Sequence, residues 1–180
     1  LRFIRSSSAS LPLKTFKELE KVFNVPIIES YGMTEATHQM TSNPLGANMQ
    51  KAGFVGIITS PAVCVMDQQG VQKQTGEEGE VCIKGDNVSP GYENNPEANS
   101  ASFTDGWFRT GDQGLIDDHG YLKITGRLKE IINRVDKLIH QSEKLPKNLK
   151  SKRLAIEAYI IINIARALSK KLRVQDPLLL

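Results

Sequence analysis

Two hydrophobic spacings alternate over the first thirty residues. Residues 1–5, LRFIR, and residues 25–30, VPIIES, are short apolar runs that predict strands. Between them, hydrophobic residues recur every three or four positions and share one face of a helix that begins near Pro12, namely Leu13, Phe16, Leu19 and Phe23. This order predicts a βαβ unit, the building block of a sheet of the α/β class that is covered by helices.

After residue 53 the pattern changes to short strands separated by turns. The runs FVGII, VCVMD, EVCIK and YLKIT are strand-like, and QQG and DDHG are typical turns. They predict a mostly antiparallel sheet or small barrel, with PEANSASF as a short helical insertion. We expect four segments, in chain order the end of an α/β portion, a β-rich portion, a hinge and a divergent basic tail: 1–52, 53–125, 126–134 and 135–180.

Charge separates the tail from the rest of the chain. Residues 1–134 carry 13 basic and 16 acidic side chains, a net charge of −3, whereas residues 135–180 carry 10 and 4, a net charge of +6. No nucleic-acid partner is therefore expected for the main body. For the tail, an alternative function stays open: residues 144–173 could bind nucleic acid or an anionic membrane. No apolar run reaches the roughly 20 residues of a transmembrane segment.

Two cysteines and three histidines show no metal-ligand spacing. Cys64 and Cys82 each lie in an apolar run, which is typical of buried thiols in an intracellular protein and not of a disulfide framework. The chain ends in PLLL, which is not an SKL-type peroxisomal signal. We expect a cytoplasmic protein, with the peroxisome as the alternative for the complete protein.

The segment YGMTE follows directly on the second predicted strand. Sheets of the α/β class place ligands where the chain leaves the carboxyl end of a strand. Gly32 permits a tight turn and a close approach of the ligand, and Tyr31 offers a flat face to a nucleobase. Thr34 offers a hydroxyl to a phosphate, and Glu35 offers an oxygen ligand to Mg²⁺. The alternative is an ordinary structural turn.

Two later segments carry further candidate ligand-binding groups. WFRTGD ends at Asp112, a carboxylate after a Thr–Gly turn that can accept two hydrogen bonds from a ribose diol or simply stabilise the turn. In GRLKEII, Gly126 offers the backbone freedom of a hinge, and Arg127 can donate a rigid fork of hydrogen bonds. The alternative for this segment is a solvated helix start in which Lys129 faces water.

The order and spacing of these segments resemble one superfamily. YGMTE, EVCIKGDNVSPGY, NPEA, DGWFRTGD and GYLKITGRLKEII follow one another as in the adenylate-forming acyl-CoA synthetases, luciferases and peptide-synthetase adenylation domains. The resemblance covers roughly residues 1–134. It implies the end of a large α/β subdomain, then a small β-barrel-like subdomain, and then a helical or disordered tail that is foreign to the family. LRFIRSSSASLP and YGMTEATHQMTSNPL resemble the oxalate–CoA ligase group in particular.

Members of this superfamily join a carboxylic acid to CoA in two steps. The acid attacks ATP to give an acyl-adenylate and pyrophosphate, and CoA then displaces AMP. The resemblance implies that Tyr31 packs on the adenine, that Thr34 contacts phosphate and that Glu35 holds Mg²⁺. It also implies that Asp112 and Arg127 bind the ribose. Residues 126–129, from Gly126 to Lys129, match the hinge about which a small C-terminal domain rotates.

The acid substrate is expected to be small and doubly charged. Ser8 and His38 match positions that line the carboxylate pocket of oxalate-type ligases, and the resemblance therefore favours oxalate. Another small-acid or 4-coumarate-like ligase is the alternative, although His38 and TSNPL disfavour an aryl substrate. A non-catalytic remnant is the other alternative. The family's phosphate loop should lie upstream of residue 1, and its catalytic lysine beyond the hinge. We therefore expect this chain to be inactive alone.

Overall fold

A computed structural model of the chain describes residues 1–46, 48–142 and 151–175. Its contacts divide the chain into two compact units, Leu1–Gly126 and Arg127–Leu180. The predicted division into four segments is not tested by this result and stays a prediction.

The first unit begins with the predicted βαβ arrangement. Strand β1, Ile4–Ser6, pairs in parallel with strand β2, Ile27–Tyr31, and helix α1, Leu13–Phe23, connects them. The helix ends at Asn24, which adopts a left-handed φ of 50° and donates its N–H to the carbonyl oxygen of Glu20 at 2.9 Å. Asparagine is one of the few residues that tolerate this conformation at a helix end. The parallel pair places the carboxyl ends of β1 and β2 at the same edge.

Seven further strands among the described residues extend this pair into a mixed sheet: β3 (Thr41–Ser42), β4 (Gly56–Ile58), β5 (Ala62–Met66), β6 (Gly79–Lys84), β7 (Phe103–Thr104), β8 (Trp107–Ile116) and β9 (Tyr121–Arg127). The strand order is β1-β2-β3-β4-β9-β8-β6-β5, and β7 pairs with β8. The α/β class is thus confirmed. Of the two forms expected for the β-rich part, a mostly antiparallel sheet or a small barrel, the structure has the sheet, because its strand pairs are antiparallel and the described order runs openly from β1 to β5.

Strand β6 is deeply buried in the β-rich part, next to the edge strand β5. Its residues Val81, Cys82 and Ile83 are fully buried, and it pairs with β5 on one side and β8 on the other. Continuous hydrophobicity is typical of a strand that is covered on both faces, which explains the run EVCIK. One face packs on a cluster that includes Met40 and Leu122, and the other packs on Cys64 and Met66.

A short helix, α2, spans Pro96–Ser102 between β6 and β7. Its first turn is capped by Asn95, whose side-chain oxygen accepts the backbone N–H of Ala98 at 3.1 Å. The proline in the first turn needs no hydrogen-bond partner for its nitrogen, so it favours a helix start there. The predicted helical insertion is therefore present.

The second unit contains two helices over its described residues. Helix α3, Leu128–Ser142, follows β9 directly, as GRLKEII predicts, and helix α4 spans Lys152–Gln175. Ile139 of α3 and Ile162 of α4 are buried. Among the described residues, no helix combines the length and the hydrophobicity that crossing a bilayer requires.

Candidate functional site

The candidate site lies where β1 and β2 end. Because these strands are parallel, the loop after Ser6 and the segment after Tyr31 leave the sheet at the same edge. Ligands of α/β sheets bind at such carboxyl ends. Gly32 makes the exit from β2 possible, since a Cβ at this position would lie 1.7 Å from the backbone oxygen of His38. A close approach of a ligand was predicted at Gly32, and the structure shows a close approach of the His38 backbone there.

The segment after Gly32 folds into one turn of 3-10 helix, Thr34–Ala36. Ala36 is fully buried and anchors the turn, while Thr34 is exposed and Glu35 is half-buried. The helix stops there, because Thr37 and His38 both adopt left-handed φ angles, of 52° and 75°. His38 therefore does not lie one helical turn beyond Glu35, which is where a continuing helix would have placed it.

Tyr31 and Asp112 meet although 81 residues separate them. The Tyr31 hydroxyl donates a hydrogen bond to the Asp112 carboxylate, with 2.6 Å between Oη and Oδ2. Asp112 is 5% exposed, and its backbone N–H is donated to the Thr110 hydroxyl at 3.1 Å. The two side chains expected to contact adenine and ribose are thus brought together, and the short contact fixes their separation.

Asp112 sits in the middle of strand β8 and not after a loop turn, as the sequence suggested. Gly111 has a φ of +74°, and the register opposite β6 shifts at this point. Such a β-bulge redirects a side chain out of the regular alternation. The buried Glu80 supports the bulge: its Oε1 accepts the N–H of Gly111 at 3.0 Å, and its Oε2 accepts Nε of Arg109 at 2.8 Å.

The carboxylate of Glu35 is held by a residue that sequence reasoning missed. The hydroxyl of Tyr92 donates to Glu35 Oε1 at 3.0 Å, and the N–H of Ser89 donates to the backbone oxygen of Glu35 at 2.7 Å. Both donors belong to VSPGY, a segment that was noted only for its place in the series of motifs. Burial raises the pKa of Tyr92, and the hydrogen bond with Glu35 adds to the effect.

Glu29 is a second residue that the sequence did not single out. It is 5% exposed in β2, two positions before Tyr31. Burial raises its pKa, and hydrogen bonds from the backbone N–H groups of Gly53 and Leu11 oppose the rise. The charged side chain inside the apolar run VPIIES was the available signal, because a buried carboxylate needs specific partners.

The structure does not bring the remaining predicted site residues together. Ser8 follows β1 with a φ of 69° and is exposed, as is His38. Arg127 ends β9 and begins the second unit, so its placement at the ribose stays a prediction. Gly126 is the last residue of the first unit, and the side chain of Lys129 lies outside the described part of the chain.

A cysteine nucleophile is disfavoured by the environment of both thiols. Cys64 and Cys82 face each other across β5 and β6, and burial raises their pKa to about 11 and about 12. The reactive thiolate is therefore scarce near neutral pH. Over the described residues, no group of three or more His, Cys, Asp or Glu side chains lies together as a metal site.

Comparisons with known proteins found similar sequences and similar structures. The sequence profile described as "AMP-binding enzyme" matches residues 1–93. This range contains the turn after β2 and the VSPGY segment that holds it. The chain belongs to the AMP-binding enzyme family.

Individual family members are similar over most of this chain. The oxalate–CoA ligase of Arabidopsis thaliana is 50% identical over 135 residues, which are 74% of this chain and 26% of that protein. The oxalate–CoA ligase of Saccharomyces cerevisiae is 51% identical over 136 residues, with 74% and 25% covered. The O-succinylbenzoate CoA synthetase of Bacillus subtilis, solved with ATP and a magnesium ion, is 34% identical with a TM-score of 0.62, and the match covers 70% of this chain and 26% of that one.

The chain thus spans about a quarter of the length of these relatives. Its own side chains fit the small molecules that such proteins use. Tyr31 and Asp112 supply an aromatic ring beside a buried carboxylate, a combination suited to a nucleoside. Glu35 supplies a hard oxygen donor, and Mg²⁺ commonly takes only one or two protein carboxylates together with phosphate oxygens.

Proposed function

We propose that this chain forms part of the nucleotide site of an ATP-dependent acid–CoA ligase. The observation that carries the proposal is the hydrogen bond of 2.6 Å between Tyr31 and Asp112, because it joins two motifs that lie far apart in the sequence. An aromatic ring and a carboxylate at this separation can contact the base and the ribose of one nucleotide. Membership of the AMP-binding enzyme family supports ATP and AMP as this nucleotide.

The reaction consists of two displacements. A carboxylate oxygen of the acid attacks the α-phosphorus of ATP, forming an acyl-adenylate and releasing pyrophosphate. The sulfur of CoA then attacks the acyl carbon, forming the thioester and releasing AMP. In this scheme Tyr31 packs on adenine. The Asp112 carboxylate accepts hydrogen bonds from the ribose hydroxyls, and Arg127 makes a further contact with the ribose. These residues act by positioning, which can supply a large part of a rate enhancement.

In the first displacement, the turn after β2 supplies the groups that act on the charged phosphates. Thr34 is exposed and offers its hydroxyl to a phosphate oxygen. Glu35 is the residue that would hold Mg²⁺, which neutralises charge on the phosphates during transfer when it is bound. Gly126 and Lys129 would belong to the hinge about which the C-terminal domain rotates between the two half-reactions.

The acid is proposed to be oxalate. The identity of about half the aligned residues with two oxalate–CoA ligases supports this choice. Ser8 and His38 are exposed at the edge where β1 and β2 end, so they offer a hydroxyl and an imidazole to a second carboxylate. Acid-dependent exchange of pyrophosphate into ATP by the complete protein, which would supply the phosphate loop and the catalytic lysine, tests both the activity and the choice when oxalate is compared against O-succinylbenzoate. Exchange with neither acid would leave only a nucleotide-binding portion.

The nucleotide site itself is tested by AMP binding. We expect Asp112→Ala to weaken AMP affinity by at least about tenfold, because two hydrogen bonds from the ribose to a charged group are lost. Asp118→Ala is the control, since it removes the same group from an exposed turn six positions along. Isothermal titration of AMP into the three proteins measures the effect. Equal affinities for the parent chain and Asp112→Ala would refute the proposed site.

A further inference from the structure

Residues 87–92, which comprise Asn87 and the VSPGY segment, make three hydrogen bonds to the turn that carries Glu35. Ser89 donates its N–H to the backbone oxygen of Glu35 at 2.7 Å, and Tyr92 donates its hydroxyl to Oε1 of the same residue at 3.0 Å. The side-chain amide of Asn87 donates to the backbone oxygen of Ala36 at 3.3 Å. The contacts therefore fix both the backbone and one side-chain oxygen of the turn.

Tyr92 is itself held in place by helix α2. Its N–H donates to Oδ1 of Asn99 at 2.6 Å, and Nδ2 of Asn99 donates back to its carbonyl oxygen at 2.9 Å. Gly91 lets the chain come this close, because a Cβ there would lie 2.7 Å from the Asn99 side chain. The tyrosine backbone is thus fixed independently of its hydroxyl, so removal of the hydroxyl should leave the loop in place.

The contact occupies only one oxygen of the Glu35 carboxylate. Within residues 1–46, 48–142 and 151–175, Oε1 accepts the Tyr92 hydroxyl, and no described residue donates a hydrogen bond to Oε2. A tyrosine hydroxyl is a neutral donor, so it orients the carboxylate without neutralising it. A cation can then bind the second oxygen of a carboxylate whose rotation is already restricted.

We propose that Tyr92 is a positioning residue that orients the Glu35 carboxylate for a divalent cation bound with ATP. This inference rests on the proposed function, since it assumes that the site takes a nucleotide. Tyr92 touches neither nucleotide nor metal in this account. Its effect passes through Glu35 and is confined to the part of ATP binding that depends on the cation.

The test measures ATP affinity over a series of MgCl₂ concentrations. We expect Tyr92→Phe to raise the Mg²⁺ concentration for half-maximal ATP affinity by about threefold to tenfold, the size of one partly exposed hydrogen bond to a charged group. AMP, which has a single phosphate, reports the adenine and ribose contacts and should bind with less than about twofold change. A variant that had merely lost its fold would weaken both nucleotides.

Two further variants sharpen this test. Tyr121→Phe removes the same atom from a tyrosine whose hydroxyl donates to the backbone oxygen of Met49 at 2.8 Å, so its Mg²⁺ midpoint should match that of the parent chain. Glu35→Gln removes the charged ligand. In that background, Tyr92→Phe should cause no additional shift of the midpoint, because both act on the same cation contact.

The outcomes separate this inference from the proposed function. Mg²⁺-dependent ATP binding with the same midpoint in the parent chain and in Tyr92→Phe overturns the role of Tyr92 and leaves the nucleotide site standing. A shift in Tyr92→Phe that persists in the Glu35→Gln background also overturns it. A parent chain that binds neither AMP nor ATP overturns both.

Discussion

Glu29 shows how a single buried side chain connects two loops beside the candidate site. Its carboxylate accepts backbone N–H groups from Gly53 and from Leu11, which follow β3 and precede α1. Its own backbone oxygen accepts the N–H of Asn43 at 2.9 Å. These contacts fix the chain on both sides of the strand that ends at Tyr31. Burial nevertheless raises the pKa of Glu29, so the charged form is held at a cost.

This cost predicts how stability changes with pH. As the pH rises past 4.5, the ordinary value for this group, the unfolded chain releases the Glu29 proton before the folded chain does. The folded state then binds more protons, and the contribution of Glu29 to the free energy of unfolding falls as the pH rises, until the folded carboxyl has ionised as well. Glu29→Gln should abolish this decline, as measured by urea unfolding at a series of pH values.

Glu20→Gln is the matched control, because it makes the same change at an exposed position of α1. It should leave the pH dependence of the parent chain intact. A Glu29→Gln profile that runs parallel to the parent profile above pH 4.5 would show that burial does not raise this pKa.

The candidate residues that the sequence could select are those whose chemistry is local to a motif. Tyr31 and Glu35 were selected because they follow a strand pattern, and Asp112 was selected because it follows a Thr–Gly pair. The structure brings Tyr31 and Asp112 together, and their roles stay predictions. Tyr92 and Glu29 were missed because their importance lies in partners that are distant in the sequence. The Tyr92 hydroxyl reaches across 57 positions, which no periodicity can reveal.

Strand β8 places Asp112 by means of a bulge. The segment WFRTGD was expected to place Asp112 after a Thr–Gly turn, yet it belongs to a ten-residue strand. Glu80 of β6 explains the difference, since it binds Arg109 and the N–H of Gly111 and so satisfies the backbone that the bulge leaves unpaired. By contrast, β1, α1 and β2 were predicted because each has a regular hydrophobic spacing.

The bulge predicts a specific consequence of replacing Gly111. The Cβ that Gly111→Ala adds would have no atom within 4 Å. The cost is therefore the left-handed φ of +74° alone, which should lower the free energy of unfolding by about 1–2 kcal/mol. We expect a loss of AMP affinity as well, because a relaxed bulge moves Asp112 away from Tyr31. Urea unfolding and AMP titration measure the two effects.

Gly120 supplies a close control for this substitution. It has a φ of +77° and, like Gly111, no atom within 4 Å of an added Cβ, but it lies in the turn between β8 and β9. Gly120→Ala should lower stability by a similar amount and leave AMP affinity unchanged. If both variants bind AMP equally well, the bulge does not position Asp112.

The two units of the chain differ in charge as well as in structure. The acidic excess lies in residues 1–134, and the basic excess lies in residues 135–180. The boundary between the units, after Gly126, falls close to this change. The contacts between Tyr31 and Asp112 and between Glu35 and Tyr92 belong to the first unit alone. Nucleotide recognition and any polyanion binding should therefore be separable.

Deletion of residues 135–180 tests this separation. We expect the shortened chain to keep its AMP affinity, because Tyr31, Glu35 and Asp112 all precede the deletion. The parent chain should be retained on heparin at low salt, and the retention should disappear on deletion, since ten of its 23 basic side chains are removed. Lys14→Gln together with Lys17→Gln, on exposed positions of α1, should change neither property. A deletion that remains folded by circular dichroism but no longer binds AMP would place part of the nucleotide site in the tail, and would contradict a site confined to residues 1–134.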